Sequence, residues 1–266
     1  MNNLSVLCLA VAGLSACNGS NSKSSETANA SSRSNAAEKP NIVIILTDDQ
    51  GYGDMKCYGN SRLQTPNLDQ LAAEGIRFTN FYAGAAASTP SRAALLTGRY
   101  AERAGLQGVV DDLSVNGLES DEFTLADYLK QNNYATGIFG KWHLGCLPEH
   151  LPLRHGFNEF FGLPYSNDMW PFHPQPGHPY RALPLYDNER VVEYNPTVNH
   201  MTTRITERAT AFIDKHKNEP FLLYVPYTQP HVPLGVSDKF KGKSGEGLYA
   251  DVIMEIDWSV GEIMKT

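Results

Sequence analysis

Residues 41–47 read NIVIILT, an apolar and largely β-branched run without alternation that breaks on two acids, Asp48 and Asp49. A strand apolar on both faces belongs in the interior of a parallel sheet covered by helices on each side. Downstream, Thr65 stands as an N-cap, Pro66 as a first helical residue, Leu68, Leu71 and Ala72 as one apolar face, and Gly75 as the stop. A strand is expected over 77–82, a helix over 124–131 and a strand over 135–139. A helix over 202–216 then leads into a second buried strand, FLLYV, at 221–225. Val252, Ile253, Ile256, Val260 and Ile263 recur at helical spacing near the end. Strand and helix in alternation predict an α/β fold, a doubly wound and mostly parallel sheet with helices on both faces.

With 41% apolar and 19% charged residues, the 266-residue chain can bury a core of its own. Its net charge of -7 offers no broad basic field, which excludes nucleic acid as a partner. An acidic protein that handles an anion must gather positive charge locally. The N-terminus reads as an address: residues 4–16 are an apolar run of 13, shorter than a membrane span and typical of a signal-peptide core. Met1-Asn2-Asn3 lacks the usual basic residues. The run closes on Leu14-Ser15-Ala16-Cys17, which resembles a bacterial lipobox and implies lipidation at Cys17; plain secretion and a chance apolar start are the alternatives. Residues 1–16 thus read as a signal peptide, 17–39 as a tether rich in Ser, Asn and Ala, and 40–266 as the folded body. The expected location is the bacterial cell envelope, as an outer-membrane lipoprotein or a periplasmic or secreted protein, with membrane contact only through the N-terminal lipid. Cys57 and Cys146 read as unpaired thiols, a bridge being the alternative.

Ligands in such sheets gather beyond the carboxyl ends of the strands. Three strand ends offer chemistry there: Asp48 and Asp49, Lys141 and His143, and His231. Residues two apart in an extended segment point the same way, so Lys141 and His143 can face one pocket. The segment 84–99, GAAASTPSRAALLTGR, places Ser88 at the start of a helix that Pro90 opens and Gly98 ends, with Arg92 one turn along the same face. Free N–H groups and the positive helix pole favour an anion beside Ser88, although a lone Ser-x-Pro is more often a simple cap. Adjacent carboxylates at a strand end are often solvated turn residues, but their hard oxygens also suit calcium or magnesium. The segment 167–184 holds five prolines with Trp170, His173 and His178, and reads as an irregular loop forming a substrate rim.

Ser88-Thr89-Pro90-Ser91-Arg92, followed by Leu95-Leu96-Thr97-Gly98-Arg99, resembles the signature of the type I sulfatases. In that family the first residue, Cys or Ser, is oxidised to formylglycine, whose hydrated aldehyde is the nucleophile. Ser88 implies a serine-type protein that needs a maturation enzyme acting before export. Asp48-Asp49-Gln50-Gly51-Tyr52-Gly53-Asp54 resembles the family's first metal-binding turn, which implies that Asp48, Asp49 and Ser88 as formylglycine hold one divalent cation, usually calcium; Asp54 is left structural. Gly140-Lys141-Trp142-His143-Leu144-Gly145 resembles the family segment in which the lysine bridges nucleophile and sulfate, while the histidine helps expel sulfate. Pro230-His231-Val232-Pro233 is similar to the segment of the second catalytic histidine, which protonates the leaving alcohol. Pro164-Tyr165-Ser166-Asn167-Asp168 resembles an arylsulfatase segment whose serine, here Ser166, lines the substrate site.

The resemblance implies an alkaline-phosphatase-like fold and hydrolysis of a sulfated carbohydrate or aryl sulfate, with Arg92 and Lys141 neutralising charge. Two rivals stand beside it. One is a phosphatase or phosphodiesterase with Ser88 unmodified, against which Pro90 and Arg92 argue; the other is a non-catalytic binder of sulfated glycan. The resemblance covers only the N-terminal part of the family, whose further Asp-Asn metal ligands, second lysine and C-terminal subdomain have no match here. A fragment is therefore expected in preference to a short protein completed by another chain, and Asp257 is not recruited to the metal.

Overall fold

The computed structural model describes residues 9–10, 39–174, 177 and 179–266; Cys17, His178 and nearly all of the signal and tether segments lie outside them. The described strands are β1 (Leu9–Ala10), β2 (Ile42–Leu46), β3 (Ala135–Lys141), β4 (Glu159–Leu163), β5 (Pro184–Asp187), β6 (Arg190–Tyr194) and β7 (Phe221–Pro226), and they form one sheet in the order β1-β2-β7-β3-β4-β5-β6. The central four run parallel, with Ile44 opposite Tyr224 and Gly137 opposite Leu223, and both edges are antiparallel.

Period-two alternation along β7 sorts the core. Leu223 and Val225 face one layer with Leu68 of α1 (Pro66–Glu74), Phe212 of α4 (Met201–His216) and Ile256 of α5 (Leu248–Lys265). Leu222 and Tyr224 face the other, with Leu96 of α2 (Ser88–Thr97) and Leu129 of α3 (Leu125–Gln131). Helices therefore cover both faces, as the unbroken apolar runs require. Cys57 and Cys146 are free thiols.

Four details depart from the sequence reading. Residues 77–82 form no strand: no neighbouring strand offers them a ladder, Phe78 and Tyr82 are 56% and 80% exposed, and Tyr58 and Arg77 tie the segment through backbone carbonyls instead. The hairpin β5–β6, turned at Asn188 with φ 56°, was not anticipated; it starts at Pro184, the last residue of the expected loop. Leu9 and Ala10, inside the segment read as lying outside the fold, pair antiparallel with Ile45 and Ile44, because the outer edge of β2 leaves backbone groups open to an extended segment. Thr65 precedes α1 but makes no side-chain cap. The buried Asp257 of α5 does that work, accepting from Leu68 N at 2.8 Å, Asn67 Nδ2 at 2.8 Å and Asn67 N at 3.3 Å.

The strand ends meet through glycine. Gly140 and Gly162 are register partners in β3 and β4 with φ 140° and 158°. A Cβ on Gly162 would lie 1.7 Å from Gly140 O, and one on Gly140 1.9 Å from Pro226 O. A row of backbone contacts thus runs across β4, β3 and β7 just before the residues with polar chemistry. Gly162→Ala should cost roughly 3 kcal/mol in urea unfolding, whereas Gly53→Ala, with open space around it, should stay within about 0.5 kcal/mol.

Candidate active site

The parallel ladder continues past the strands and carries the β7 loop alongside the end of β2: Tyr227 N donates to Leu46 O at 2.8 Å and Asp48 N to Gln229 O at 3.1 Å. Asp48 is buried, while Asp49, left-handed at φ 65°, turns outward with its side chain 43% exposed. His231 on the adjoining loop brings Nε2 to 3.5 Å from Asp49 Oδ2.

Helix α2 begins at Ser88 after the extended Ala87, and Gly98 closes it in the left-handed conformation. One turn in, the buried Arg92 spans the site. It donates from Nε to Ser88 Oγ at 2.7 Å, from Nη1 to Lys141 O at 2.7 Å and from Nη2 to Asp48 Oδ1 at 3.2 Å. Lys141, the buried last residue of β3, donates to Asp48 Oδ2 at 2.6 Å and to Ser166 Oγ at 3.0 Å beyond β4. Ser88, Arg92, Asp48, Lys141 and Ser166, drawn from four separate stretches of sequence, are thus one connected network. A cleft lined by Asp48, Asp49, Ala87, Ser88, Ser91 and Arg92 opens over it.

His143 sits two residues beyond Lys141 with φ 60°. Its Nε2 lies 2.8 Å from Val110 O, and because a carbonyl only accepts, Nε2 carries the proton. Nδ1 is then a buried lone pair without a partner among the described residues. Thr89, at the unspecified position of the Ser88 motif, braces this arrangement by donating to His143 O at 2.9 Å and accepting from Val110 N at 3.2 Å. Sequence reasoning missed Thr89 and Val110, since one stands where any residue is allowed and the other acts through its backbone. His173 lies in the irregular 167–184 segment, its Nε2 4.0 Å from Asp168 Oδ2.

Burial pushes the Asp48 carboxyl up, but the charges of Lys141, Arg92 and His231 outweigh it and hold the group far below the usual carboxylate range. Burial likewise pulls the Lys141 ammonium down, against the attraction of Asp48. Burial, then Lys141 and Arg92, keep His143 well below an ordinary histidine, so its ring is neutral.

The hard oxygens of Asp48, Asp49 and Ser88 fit calcium or magnesium by donor type. They form a partial set. No group of three or more His, Cys, Asp and Glu residues is assembled among the described residues, and both Asp48 oxygens are engaged by Arg92 and Lys141.

Asp48→Asn would leave Lys141 buried without its counter-charge and should cost about 3–5 kcal/mol in urea unfolding at neutral pH. The native carboxyl titrates well below the unfolded one, so its contribution is complete above the unfolded value and withdrawn as pH falls toward the folded one. The stability gap between wild type and variant should accordingly be flat above about pH 5 and narrow below about pH 4.

The profile of the Sulfatase family matches residues 40–266. Bovine (Bos taurus) arylsulfatase A is 43% identical over an alignment of 246 positions that covers 86% of this chain and 48% of the relative. The N-acetylgalactosamine-6-O-sulfatase of Bacteroides thetaiotaomicron is 35% identical over 86% of this chain and 56% of its own length. A solved structure of Ps i-CgsB in complex with k-i-k-neocarrahexaose superposes with a TM-score of 0.74 at 33% identity, covering 86% of this chain and 55% of that one. The chain spans about half the length of the curated relatives it matches. With the family profile covering the whole body and the signature residues joined in one network, the chain belongs to the sulfatase family.

Proposed function

We propose that this chain carries the nucleophile-bearing half of a sulfuric ester hydrolase that removes sulfate from a sulfated carbohydrate, with aryl sulfates accepted as small substrates. The observation that carries this reading is Ser88 at the open end of α2, held by Arg92 and joined through Asp48 to Lys141 and Ser166. A sulfated sugar is supported by the relatives named for N-acetylgalactosamine 6-O-sulfate and solved with a neocarrahexaose.

Conversion of Ser88 to formylglycine by a serine-type maturation enzyme, before export, would supply a hydrated aldehyde hydroxyl as nucleophile. Asp48, Asp49 and the oxygen of residue 88 would hold one calcium ion, which supplies positive charge to the sulfate oxygens. Arg92 orients the side chain of residue 88, with its Nε 2.7 Å from the oxygen. Arg92 and Lys141, already in place and shielded from water, neutralise charge on the sulfate without reorganising. Ser166 steadies the Lys141 ammonium at 3.0 Å. The neutral His143 offers the lone pair of Nδ1 to take a proton from a hydroxyl of residue 88. His231, at the mouth beside Asp49, gives a proton to the departing alcohol. Export through the 1–16 signal and lipidation at Cys17 would put the site in the cell envelope, within reach of external glycans.

Co-expression with a serine-competent maturation enzyme should make the peptide containing Ser88 lighter by two hydrogens in mass spectrometry, with sulfate released from a sulfated-sugar panel. Unmodified Ser88 together with phosphate-ester hydrolysis would overturn the reading, and conversion with glycan binding but no release would favour the non-catalytic one. His231→Ala should lower kcat about 10²-fold or more on sugar sulfates and far less on nitrophenyl sulfate, whose leaving group needs no proton.

A further inference from the structure

We infer that Gln229 is a positioning residue that fixes His231 against the Asp48–Asp49 end of β2. This deepens the reading above, since it rests on His231 as the group that protonates the leaving alcohol.

The ring of His231 is tied mainly within its own loop, with Nδ1 2.5 Å from Val232 O. Its Nε2 stands 3.5 Å from the half-exposed Asp49 carboxylate. Its placement must therefore come from its backbone. In Pro230-His231-Val232-Pro233, two of four residues have no N–H, so the loop has few donors with which to anchor itself. Among the described residues its anchors are its carbonyls, which take donors from elsewhere.

Gln229 supplies them. Its buried Nε2 donates to His231 O at 3.2 Å and to Pro233 O at 3.1 Å, and its Oε1 accepts from Gly235 N at 3.1 Å. Asn167, one residue beyond Ser166, adds a longer bond from Nδ2 to the same Pro233 O at 3.4 Å. The backbone of Gln229 faces the other way, its carbonyl accepting from Asp48 N at 3.1 Å. One residue thus bonds the carboxylate strand end with its main chain and both ends of the histidine loop with its side chain. A buried primary amide is the side chain that provides two donors and an acceptor without charge. The Gln229 side chain touches none of the reacting groups, and a change of side chain keeps the main-chain carbonyl that accepts from Asp48 N, so its effect on turnover passes through His231.

Two variants test this. Gln229→Glu keeps size and the bond from Gly235 N but sets a carboxylate oxygen against two carbonyls, and Gln229→Met keeps approximate size with no polar atom. The first readout needs no turnover: long-range proton–nitrogen NMR correlations of the histidine rings in the full chain. The ring signals of His231 should shift or split in both variants while those of His143, tied to Val110 and Thr89, stay in place. The second is kinetic. On sugar sulfates kcat should fall roughly 10²-fold with KM nearly unchanged, on nitrophenyl sulfate the fall should be less than about 3-fold, and adding either change to His231→Ala should cost no more than about 2-fold further. Unmoved His231 signals, joint movement of His143, equal losses on both substrates, or failure of both variants to fold by circular dichroism would each overturn the positioning role. If the wild-type chain releases no sulfate at all, the hydrolase reading fails, and the ring signals still decide for or against Gln229.

Discussion

Asp48 is one buried carboxylate between two buried cations, and the site is organised around it. Arg92 reaches it from a helix and Lys141 from a strand, each with further donors committed to other parts of the site. Removing three charges from water costs several kcal/mol per ion, and the cost is recovered only where geometry is close and every remaining donor is used. The anchors that meet this demand are Ser88 Oγ, Lys141 O and Ser166 Oγ. The electrostatic requirement of a single carboxylate therefore fixes how α2 lies on the sheet and how the end of β4 approaches β3.

The same arrangement gathers positive charge at one place in an acidic protein. Two buried cations lie under the cleft, while the balance of 22 Lys and Arg against 29 Asp and Glu over the whole chain sets the net charge and not the local field. Asp49 and His231 sit further out and are partly wet, which suits groups that meet a ligand or exchange protons with it. A dry inner layer of charge thus lies beneath a wetter outer one.

Much of this was legible in the sequence. The buried strands 42–46 and 221–226 declared themselves by unbroken apolar runs, and the acids after the first of them marked a strand end. Asp48, Asp49, Lys141 and His231 share one edge because strand ends converge there in a parallel sheet, a rule that needs no coordinates, whereas Ser88, Arg92 and Ser166 stood out by the motifs that carry them. What stayed hidden acts through the main chain or across long separations. Thr89 and Gln229 work on carbonyls, which no residue pattern advertises. The segment 77–82 has the composition of a strand, but strand formation is decided by a neighbour and not by the segment. Asp257 looked like one more polar position on a helix, and only the crossing of α1 and α5 turns it into a cap.

That cap also orders events during synthesis. The N-terminus of α1 is completed by a side chain 190 positions later, and β2 finds its parallel neighbour only when the residues of β7 have emerged. Until then the nascent chain carries an uncapped helix start and an apolar strand whose β7-facing edge is open. Contacts this distant in sequence form slowly, and the interval before they close is when such a strand can pair with another chain. The demand for chaperone protection is thus concentrated in the first part of the body, written into the fold by one carboxylate near its last helix.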